Sequence, residues 1–337
     1  MNRLPLALAV LLAGCGPELA APAPAPIPTT TGVSLNGTMM PGAGGPFRGD
    51  ECQSTGLAGS PTPYSPCHNG PLLAGQLVSV ALAGVTLANG QALDGAAALA
   101  GTAFTGTAGG APVASFVGAT FSGQKDDGST VPVRIDSAAA GTGNDANVWA
   151  YGISYYDGAS EAWWPVCAGG VAAVPVMGRW DYSFGTATGG DKIDDPASFT
   201  FGCIGSAIAK CVYLGYKPWQ SVSGVSLGNH HQACTRAIRA DYCGNGASYT
   251  TTGRVIDIYD TLGVQADTEG WIPEGEWMPG GAKCTFALNR NIVAGLLCHP
   301  AQSLTCGHWE PGVLLLTESP LVGGVLGAGG GVATQPQ

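Results

Sequence analysis

The chain has 337 residues, of which 54 are Gly and 24 are Pro, and this content excludes a helical bundle or a coiled coil. Charged residues make up only 11% and hydrophobic residues 45%, which excludes a charge-rich disordered protein and indicates a loop-rich chain that buries a core. The net charge of -10 and the lack of any run of Lys and Arg argue against nucleic-acid binding, because such binding depends on clustered positive charge.

Residues 1–15 have the layout of a secretory signal peptide, with a positive charge at Arg3 and an apolar run too short to span a bilayer. A buried N-terminal helix is disfavoured because no polar face alternates with the apolar one. Leu12-Ala13-Gly14-Cys15 resembles the bacterial lipobox, which implies that Cys15 is acylated and begins the mature chain. We therefore expect a lipid-anchored cell-envelope protein. Residue 16 is Gly, where inner-membrane lipoproteins commonly carry Asp, and this favours the outer membrane.

Three segments flank the part of the chain that is rich in cysteine. Residues 16–32 form a Pro/Ala linker, because regularly spaced Pro favours an extended chain. Residues 33–124 are predicted to be a Gly-rich, mainly β repeat region, since over residues 87–123 six apolar residues are each followed by Gly two or three positions later. The alternative for that repeat is coincidence in a Gly-rich linker. Residues 313–337 are predicted to be a low-complexity tail.

Residues 125–312 are predicted to form the compact domain, because most of the Trp and Cys residues lie there. Apolar residues at helical spacing predict one helix over 204–212 and a second one after residue 228. Residues 148–156 read as a strand. We therefore predict an α+β fold, in which a small disulfide-rich α+β domain follows the Gly-rich β region.

Ten cysteines remain once Cys15 is set aside, and ten is an even number. Because an exported chain meets an oxidising compartment, we expect five disulfides. Close neighbours along the chain, such as Cys52 with Cys67 and Cys298 with Cys306, are the expected pairs. The ten are Cys52, Cys67, Cys167, Cys203, Cys211, Cys234, Cys243, Cys284, Cys298 and Cys306.

Two other uses of these thiols are open. One is zinc binding by Cys298, His299, Cys306 and His308, whose thiolates and imidazoles are suitable zinc ligands. This group lacks, however, the closely spaced cysteine pair that is typical of zinc sites. The other is a catalytic thiol, for which Cys243 is the candidate, although that use would leave a second cysteine without a partner. Because the spacing does not favour zinc and the even number of cysteines does not favour a free thiol, we predict no metal site and no cofactor.

Five short motifs follow one another between residues 178 and 244. They read GRW at 178–180, FTFGC at 199–203, AKCV at 209–212, GYKPW at 215–219 and HQACTRAIRADYCG at 231–244. The set resembles the ADYC domain family of bacterial secreted proteins and lipoproteins, and the resemblance covers roughly residues 130–290. It implies an extracytoplasmic domain and supplies no reaction.

The last motif contains His231, Asp241 and Cys243, and a His or Cys paired with a carboxylate could support acyl transfer. At about 100 degrees of rotation per residue, however, His231 and Asp241 lie on nearly opposite faces of one helix. For Asp241 we favour a structural role, in which its carboxylate pairs with an Arg or bonds backbone amides near the helix end. For His230, which shares the face of Cys234, we favour a core position beside a disulfide.

Ser226 lies in Gly224-Val225-Ser226-Leu227-Gly228, which matches the G-x-S-x-G nucleophile elbow of α/β hydrolases. The match is weak evidence for a hydrolase, because the chain is rich in Gly and Ser and lacks the surrounding doubly wound pattern. A group of acidic residues could bind calcium but lacks the alternating ligand spacing of known loops, so a solvated acidic edge is favoured. That group comprises Asp257, Asp260, Asp267 and Glu269.

These observations favour a lipid-anchored extracytoplasmic protein whose disulfide-stabilised domain is a binding or structural module of the cell envelope. Its expected contacts are the membrane, through the lipid, and an envelope protein or a glycan. The alternative is an extracytoplasmic hydrolase that uses Ser226 or residues of the motif between His231 and Cys243.

Overall fold

The computed structural model of the protein describes residues 77–319, except 168–169, 184, 251–255, 269, 287–300, 303–305 and 307–308. The predicted signal peptide with Cys15, the linker, and the tail beyond residue 319 lie outside the described residues. Within them, strands make up 41% and helices 11%. Other predicted positions that lie outside are Cys52, Cys67, Glu269, Cys298, His299 and His308.

Thirteen of the described strands precede the first α-helix. They are β1 (Leu77–Ala81), β2 (Ala98–Ala100), β3 (Ala103–Thr105), β4 (Thr107–Ala108), β5 (Ala111–Pro112), β6 (Thr120–Lys125), β7 (Thr130–Ala140), β8 (Trp149–Asp157), β9 (Ala162–Pro165), β10 (Ala173–Met177), β11 (Arg179–Trp180), β12 (Lys192–Ile193) and β13 (Ser198–Cys203). A 3-10 helix covers Gly143–Asp145.

The two α-helices and the remaining described strands follow in the second part of the chain. They are α1 (Ala207–Tyr213), β14 (Ser221–Val222), β15 (Val225–Ser226), α2 (Gly228–Arg239), β16 (Asp257–Asp260), β17 (Ile272–Met278), β18 (Gly281–Thr285), β19 (Ala301–Gln302) and β20 (Leu315–Ser319). Neither helix is long and apolar enough to cross a lipid bilayer, and this finding covers the described residues only.

Six antiparallel strands close into a barrel, in the order β10, β13, β1, β6, β7 and β8. The closing pair is short, with Ala173 of β10 opposite Tyr151 of β8. β9 extends the sheet beyond the barrel by pairing with the end of β8. Along β7, Val131, Val133 and Ile135 are buried while the residues between them are more exposed, and this alternation gives the barrel an apolar interior.

Aromatic rings fill the barrel. Phe104 reaches inward from the hairpin of β2 and β3, and its ring centroid lies 5.1 to 6.2 Å from those of five other rings. Those rings belong to Phe116, Phe121, Tyr151, Phe199 and Phe201. Since aromatic pairs at such distances add to the energy of burial, this cluster is the centre of the barrel core.

The repeat of apolar residues and Gly supplies this core. Each of its six apolar residues packs in or against the barrel interior, and the glycines between them form turns. At Gly118, φ is 82°, and an added Cβ would lie 2.6 Å from the Cβ of Ala88, so only glycine fits that turn. The six are Leu87, Leu93, Leu99, Phe104, Phe116 and Phe121.

A second sheet follows the helices, with strand order β16, β20, β17, β18 and β19. α2 packs against β17, β18 and β20, while α1 packs between α2 and the barrel strands β10 and β13. The buried rings of Trp180, Tyr216, Tyr242 and Trp277 belong to the core that joins these parts. β20 lies within the first residues of the predicted tail, 313–337, and four of its five residues are buried.

The predicted α+β fold is wrong, because the described chain is mainly β and contains only two α-helices. Helical periodicity located both helices, but many strands are two to six residues long and contain Gly or Pro, so their alternation is not visible in the sequence. The predicted boundary between residues 124 and 125 falls inside β6. The Gly-rich region and the cysteine-rich region therefore contribute strands to one barrel.

Substituting Phe104→Ala is expected to lower the free energy of unfolding by about 3–5 kcal/mol, because it removes the ring around which the barrel core packs. Urea unfolding followed by fluorescence measures this change. Val117→Ala is the control, since Val117 is 41% exposed and its truncation should change stability by less than about 0.5 kcal/mol. Equal effects of the two substitutions would contradict this description of the core.

Candidate functional site

The last of the five motifs forms α2 and the turn after it. Every residue from His230 to Arg239 is buried. The Cys211–Cys234 disulfide joins α2 to α1, and the helix also packs on the second sheet. Because burying a polar group without a hydrogen bond costs free energy, the polar side chains of this helix must find partners inside the protein.

Arg236 connects three segments of the chain. Its side chain is 1% exposed, and its guanidinium donates hydrogen bonds to two backbone carbonyls and to two carboxylates. The carbonyl acceptors are Gly189 at 2.6 Å and Pro279 at 3.2 Å, and the carboxylates are those of Asp191 and Asp241. The guanidinium therefore holds together the helix end, the loop before β12 and the turn between β17 and β18.

Asp241 is fully buried directly after the helix. Ala240 adopts a left-handed conformation with φ of 52°, which reverses the chain at that point. The carboxylate of Asp241 then accepts hydrogen bonds from the backbone N–H groups of Asn245 and Gly246, each at 3.1 Å, and from Arg236. It thus makes both kinds of contact that the predicted structural role requires.

The turn after Asp241 packs directly on the backbone of the second sheet. Gly244 has φ of 64°, and an added Cβ would lie 1.7 Å from the carbonyl oxygen of Gly280. Only glycine can occupy this position, because any side chain would collide with that carbonyl group. The glycine at the end of the motif is therefore a packing requirement.

His231 lies in the core and does not face solvent. It is fully buried, its Nε2 lies 3.1 Å from the carbonyl oxygen of Ile208, and its ring packs 5.9 Å from that of Trp180. Burial lowers the pKa of His231 to about 3. A neutral imidazole at neutral pH donates its Nε2–H to the carbonyl, so the side chain is a core hydrogen-bond donor.

The structure does not bring the candidate catalytic residues of the motif together. The polar contact of His231 is with the backbone of α1, whereas Asp241 is bound by Arg236 and two backbone amides. Cys243 is disulfide-bonded and so offers no thiol nucleophile. His230 is buried in the core, as expected, and stacks on Tyr216 at 6.3 Å.

Disulfides link much of the described chain. All seven cysteines among the described residues are disulfide-bonded, including Cys243. The expected pairing of Cys298 with Cys306 is wrong, because Cys306 is bonded to Cys284 across the second sheet. This bond also removes one ligand from the zinc alternative. The pairs placed by the structure are Cys167–Cys203, Cys211–Cys234 and Cys284–Cys306.

Glu276 lies beside the Cys284–Cys306 disulfide, but these three residues do not form a metal site. Both sulfur atoms are committed to the disulfide. The carboxylate of Glu276 accepts backbone hydrogen bonds from Trp309 at 2.8 Å and from Glu310 at 3.0 Å. Glu276 therefore fixes the chain that enters β20.

The predicted solvated acidic edge is wrong for two of its members. Asp257 and Asp260 are buried, whereas Asp267 is exposed. Asp260 accepts a hydrogen bond from the Tyr216 hydroxyl at 2.8 Å and others from three backbone amides. Asp260 therefore has a structural role as an acceptor that organises the loop after β16.

A polar cleft opens at the N-terminal end of α2 and has a volume of about 450 Å³. Its walls come from the loop around β12, the hairpin of β14 and β15, and the turn between β17 and β18. Lys192 and Asp194 form an ion pair of 3.2 Å on one wall. The residues that line the cleft include Asp191, Lys192, Asp194, Ser226, Asn229 and Gln232.

The floor of the cleft is fixed by Gln232. Its Oε1 accepts a hydrogen bond of 2.9 Å from the indole N–H of Trp180, and its Nε2 donates one of 2.9 Å to the carbonyl of Gly190. Asp191, also in the lining, is held by the guanidinium of Arg236. The floor is therefore rigid, whereas Asn229 and Ser226 at the rim are exposed.

Ser226 lies at this rim but not in a nucleophile elbow. It belongs to the two-residue strand β15, and positive φ values occur at Ser223 and Gly224 instead. Its Oγ accepts a hydrogen bond of 3.3 Å from the backbone N–H of Gly228. The His230 imidazole bonds the backbone of Ser226, but within the described part of the chain no histidine or carboxylate is found in a hydrogen bond with the Ser226 hydroxyl.

Comparison with known families assigns the chain to one of them. The family model of the ADYC domain matches residues 113–291, just over half of the chain. The chain belongs to the ADYC family. No curated protein and no solved structure matches it. The ADYC domain begins upstream of the predicted boundary at residue 125, and its first residues lie before β6 of the barrel.

Several groups that build the site have no direct signal in the sequence. Asp191, Gly189 and Pro279 accept hydrogen bonds from Arg236 although they lie 43 to 47 residues away from it. The available signal was indirect. Two arginines lie on one helix of the ADYC domain among apolar neighbours, so their guanidinium groups need hydrogen-bond acceptors from other segments of the chain.

Substituting Asp241→Asn is expected to destabilise the ADYC domain by about 3–5 kcal/mol, because it leaves the buried guanidinium of Arg236 without its buried counter-charge. Asp194→Asn is the matched control, since the side chain of Asp194 is 94% exposed and its surface ion pair should contribute less than about 1 kcal/mol. Chemical denaturation of the full chain measures both. A destabilisation by Asp241→Asn no larger than that of the control would refute the structural role of Asp241.

Proposed function

We propose that this protein is a lipid-anchored component of the cell envelope, and that its ADYC domain binds an extracytoplasmic partner in the cleft at the N-terminal end of α2. The observation that carries the proposal is the division of polar groups in the domain. The motif residues are buried, with Arg236 bound to Asp241 and His231 bound to a backbone carbonyl, while exposed polar groups such as Asn229 and Ser226 line the open cleft.

A rigid floor favours binding. Because Gln232 and Asp191 are already held by hydrogen bonds, a ligand that contacts them does not have to order them first. Amide, hydroxyl, carboxylate and ammonium groups line the cleft, which suits a polar ligand rather than an apolar one.

The chemistry of the lining favours a polar segment of an envelope protein over a glycan. None of the described residues that line the cleft is aromatic, so a sugar ring would find no surface for stacking. Asp191, Lys192 and Asp194 and the amide of Asn229 offer charge and hydrogen bonds that a polar peptide could match.

The hydrolase alternative has one supporting observation, the exposed hydroxyl of Ser226 at the rim of the cleft. Serine needs an adjacent base to become a nucleophile. The hydrogen bond found at its Oγ comes from a backbone amide, so we favour a contact role for Ser226.

The lipid anchor rests on the lipobox-like sequence that ends at Cys15. The Cys15→Ser variant is expected to lose its membrane association. The sequence has no run of Lys and Arg that could hold the chain on the membrane in place of the missing lipid. Membrane fractionation and mass spectrometry of the N-terminal peptide measure this. An unmodified Cys15 in the wild-type protein, or a variant that stays with the membrane, would contradict the anchor.

A photo-crosslinking residue placed at Asn229, on the exposed rim, tests the binding role of the cleft. Expressed in intact cells, the full chain should yield one discrete adduct with an envelope protein, identified by mass spectrometry. The same residue placed at Asp127, in the exposed turn between β6 and β7, should yield none, because that turn lies outside the cleft.

Three results would count against the binding role. Adducts at both positions would indicate non-specific contact. Adducts with glycan alone would show that the partner is a glycan and not a protein. Labelling of Ser226 by a fluorophosphonate probe, lost in the Ser226→Ala variant, would favour the hydrolase.

A further inference from the structure

Three carboxylates meet on the second sheet, outside the cleft. Asp257 of β16 and Glu318 of β20 are direct cross-strand neighbours, and Asp267 comes from the loop that follows β16. One oxygen of each lies within 4.8 Å of the others. The three residues are separated by up to 61 positions in the chain, so this group depends on the strand pairing.

This group has no positive partner in the described part of the chain. None of the ion pairs found there involves Asp257, Asp267 or Glu318. Like charges placed directly opposite one another on two strands are destabilising. Burial and the nearby carboxylates also raise the pKa of Glu318, to about 7.

An unpartnered buried oxygen points to a missing ligand. Asp257 is fully buried, and its Oδ2 accepts a hydrogen bond of 2.7 Å from the backbone N–H of Thr268. Its Oδ1 has no hydrogen-bond partner among the described residues. Asp260, in the same strand, is different, because four donors satisfy its carboxylate. A buried carboxylate oxygen without a donor is costly unless a cation contacts it.

We propose that Asp257, Asp267 and Glu318 bind a calcium ion. The ligand atoms are all carboxylate oxygens, which suit a hard cation, and no histidine or cysteine belongs to the group. The three oxygens lie within 4.8 Å of one another, which is close enough for calcium–oxygen bonds of about 2.4 Å to a single ion. Calcium is favoured over magnesium because it accepts irregular sets of carboxylate ligands, whereas magnesium requires near-ideal octahedral geometry.

The location of the three carboxylates explains how an ion reaches the site and how its binding affects the fold. Asp267 is exposed, so an ion and its remaining water ligands can reach the site from solvent. Asp257 and Glu318 lie on adjacent strands, and Asp267 lies in the loop that leaves one of them. A bound ion would therefore fasten this loop to the edge of the second sheet, and it would stabilise the folded chain relative to the unfolded one.

Calcium titration of the full chain, purified in detergent and freed of metal with EGTA, tests the site. Wild-type protein should bind one equivalent of Ca²⁺ by calorimetry, and its melting temperature should rise with Ca²⁺ concentration. Tb³⁺ should replace Ca²⁺ and luminesce on excitation of the protein, because the Tyr259 hydroxyl lies 3.0 Å from Glu318 and the Tyr259 ring packs 5.8 Å from that of Trp309.

Asp257→Asn and Asp267→Asn should each weaken Ca²⁺ binding at least tenfold, whereas Asp127→Asn, which removes one exposed charge elsewhere, should bind as the wild type does. Without metal, Asp257→Asn should melt no lower than wild type, since it relieves repulsion with Glu318. If the Asp257→Asn variant does not fold, the Asp267→Asn variant, which changes an exposed side chain, tests the calcium site in its place. Absence of Tb³⁺ luminescence and of a Ca²⁺-dependent melting shift in wild type would overturn the proposal. So would equal binding by wild type and both site variants, or binding of Mg²⁺ as tight as that of Ca²⁺.

Discussion

The buried contact between Arg236 and Asp241 is the interaction on which the domain depends. One guanidinium joins the end of α2 to the loop before β12 and to the turn between β17 and β18. A buried ion pair of this kind contributes little net energy compared with apolar packing, because both charges lose their hydration. Its consequence is geometric: with several acceptors fixed around one planar group, those segments can pack in one arrangement.

The cleft follows from that arrangement. Arg236 holds Asp191 on one wall and the carbonyl of Pro279 on another, and Gln232, one helical turn earlier, holds Trp180 and Gly190. The Cys211–Cys234 disulfide fixes the same helix to α1. The motif therefore builds the support of the site from inside, and the groups available to a ligand lie on loops around it.

Sequence analysis predicted the elements that have a clear period or a clear chemistry. Both helices and the buried His230 belong to this group, because each depends on residues close in the chain. The paired state of the described cysteines was predicted from their even number and from export, whereas their partners were not. The barrel was missed, since no local pattern shows which strands pair, and glycines such as Gly123 interrupt the alternation of a strand. An added Cβ at Gly123 would lie 2.6 Å from Leu77, so such a glycine is needed for packing but resembles a linker residue in the sequence. The cross-strand pairing of Asp257 with Glu318 was equally invisible, because no local pattern sets it.

The acidic residues show why partners, rather than residue type, decide what a carboxylate does. Asp241 is buried with a guanidinium and two amides, and Asp260 is buried with four donors. Both are therefore complete within the protein. Asp257 and Glu318 are equally buried, yet their neighbour is a third carboxylate and one oxygen of Asp257 is left without a donor. A protein that accepts this arrangement must either hold a proton there or bind a cation from outside. The three carboxylates each place an oxygen within reach of a single ion, and this favours the cation.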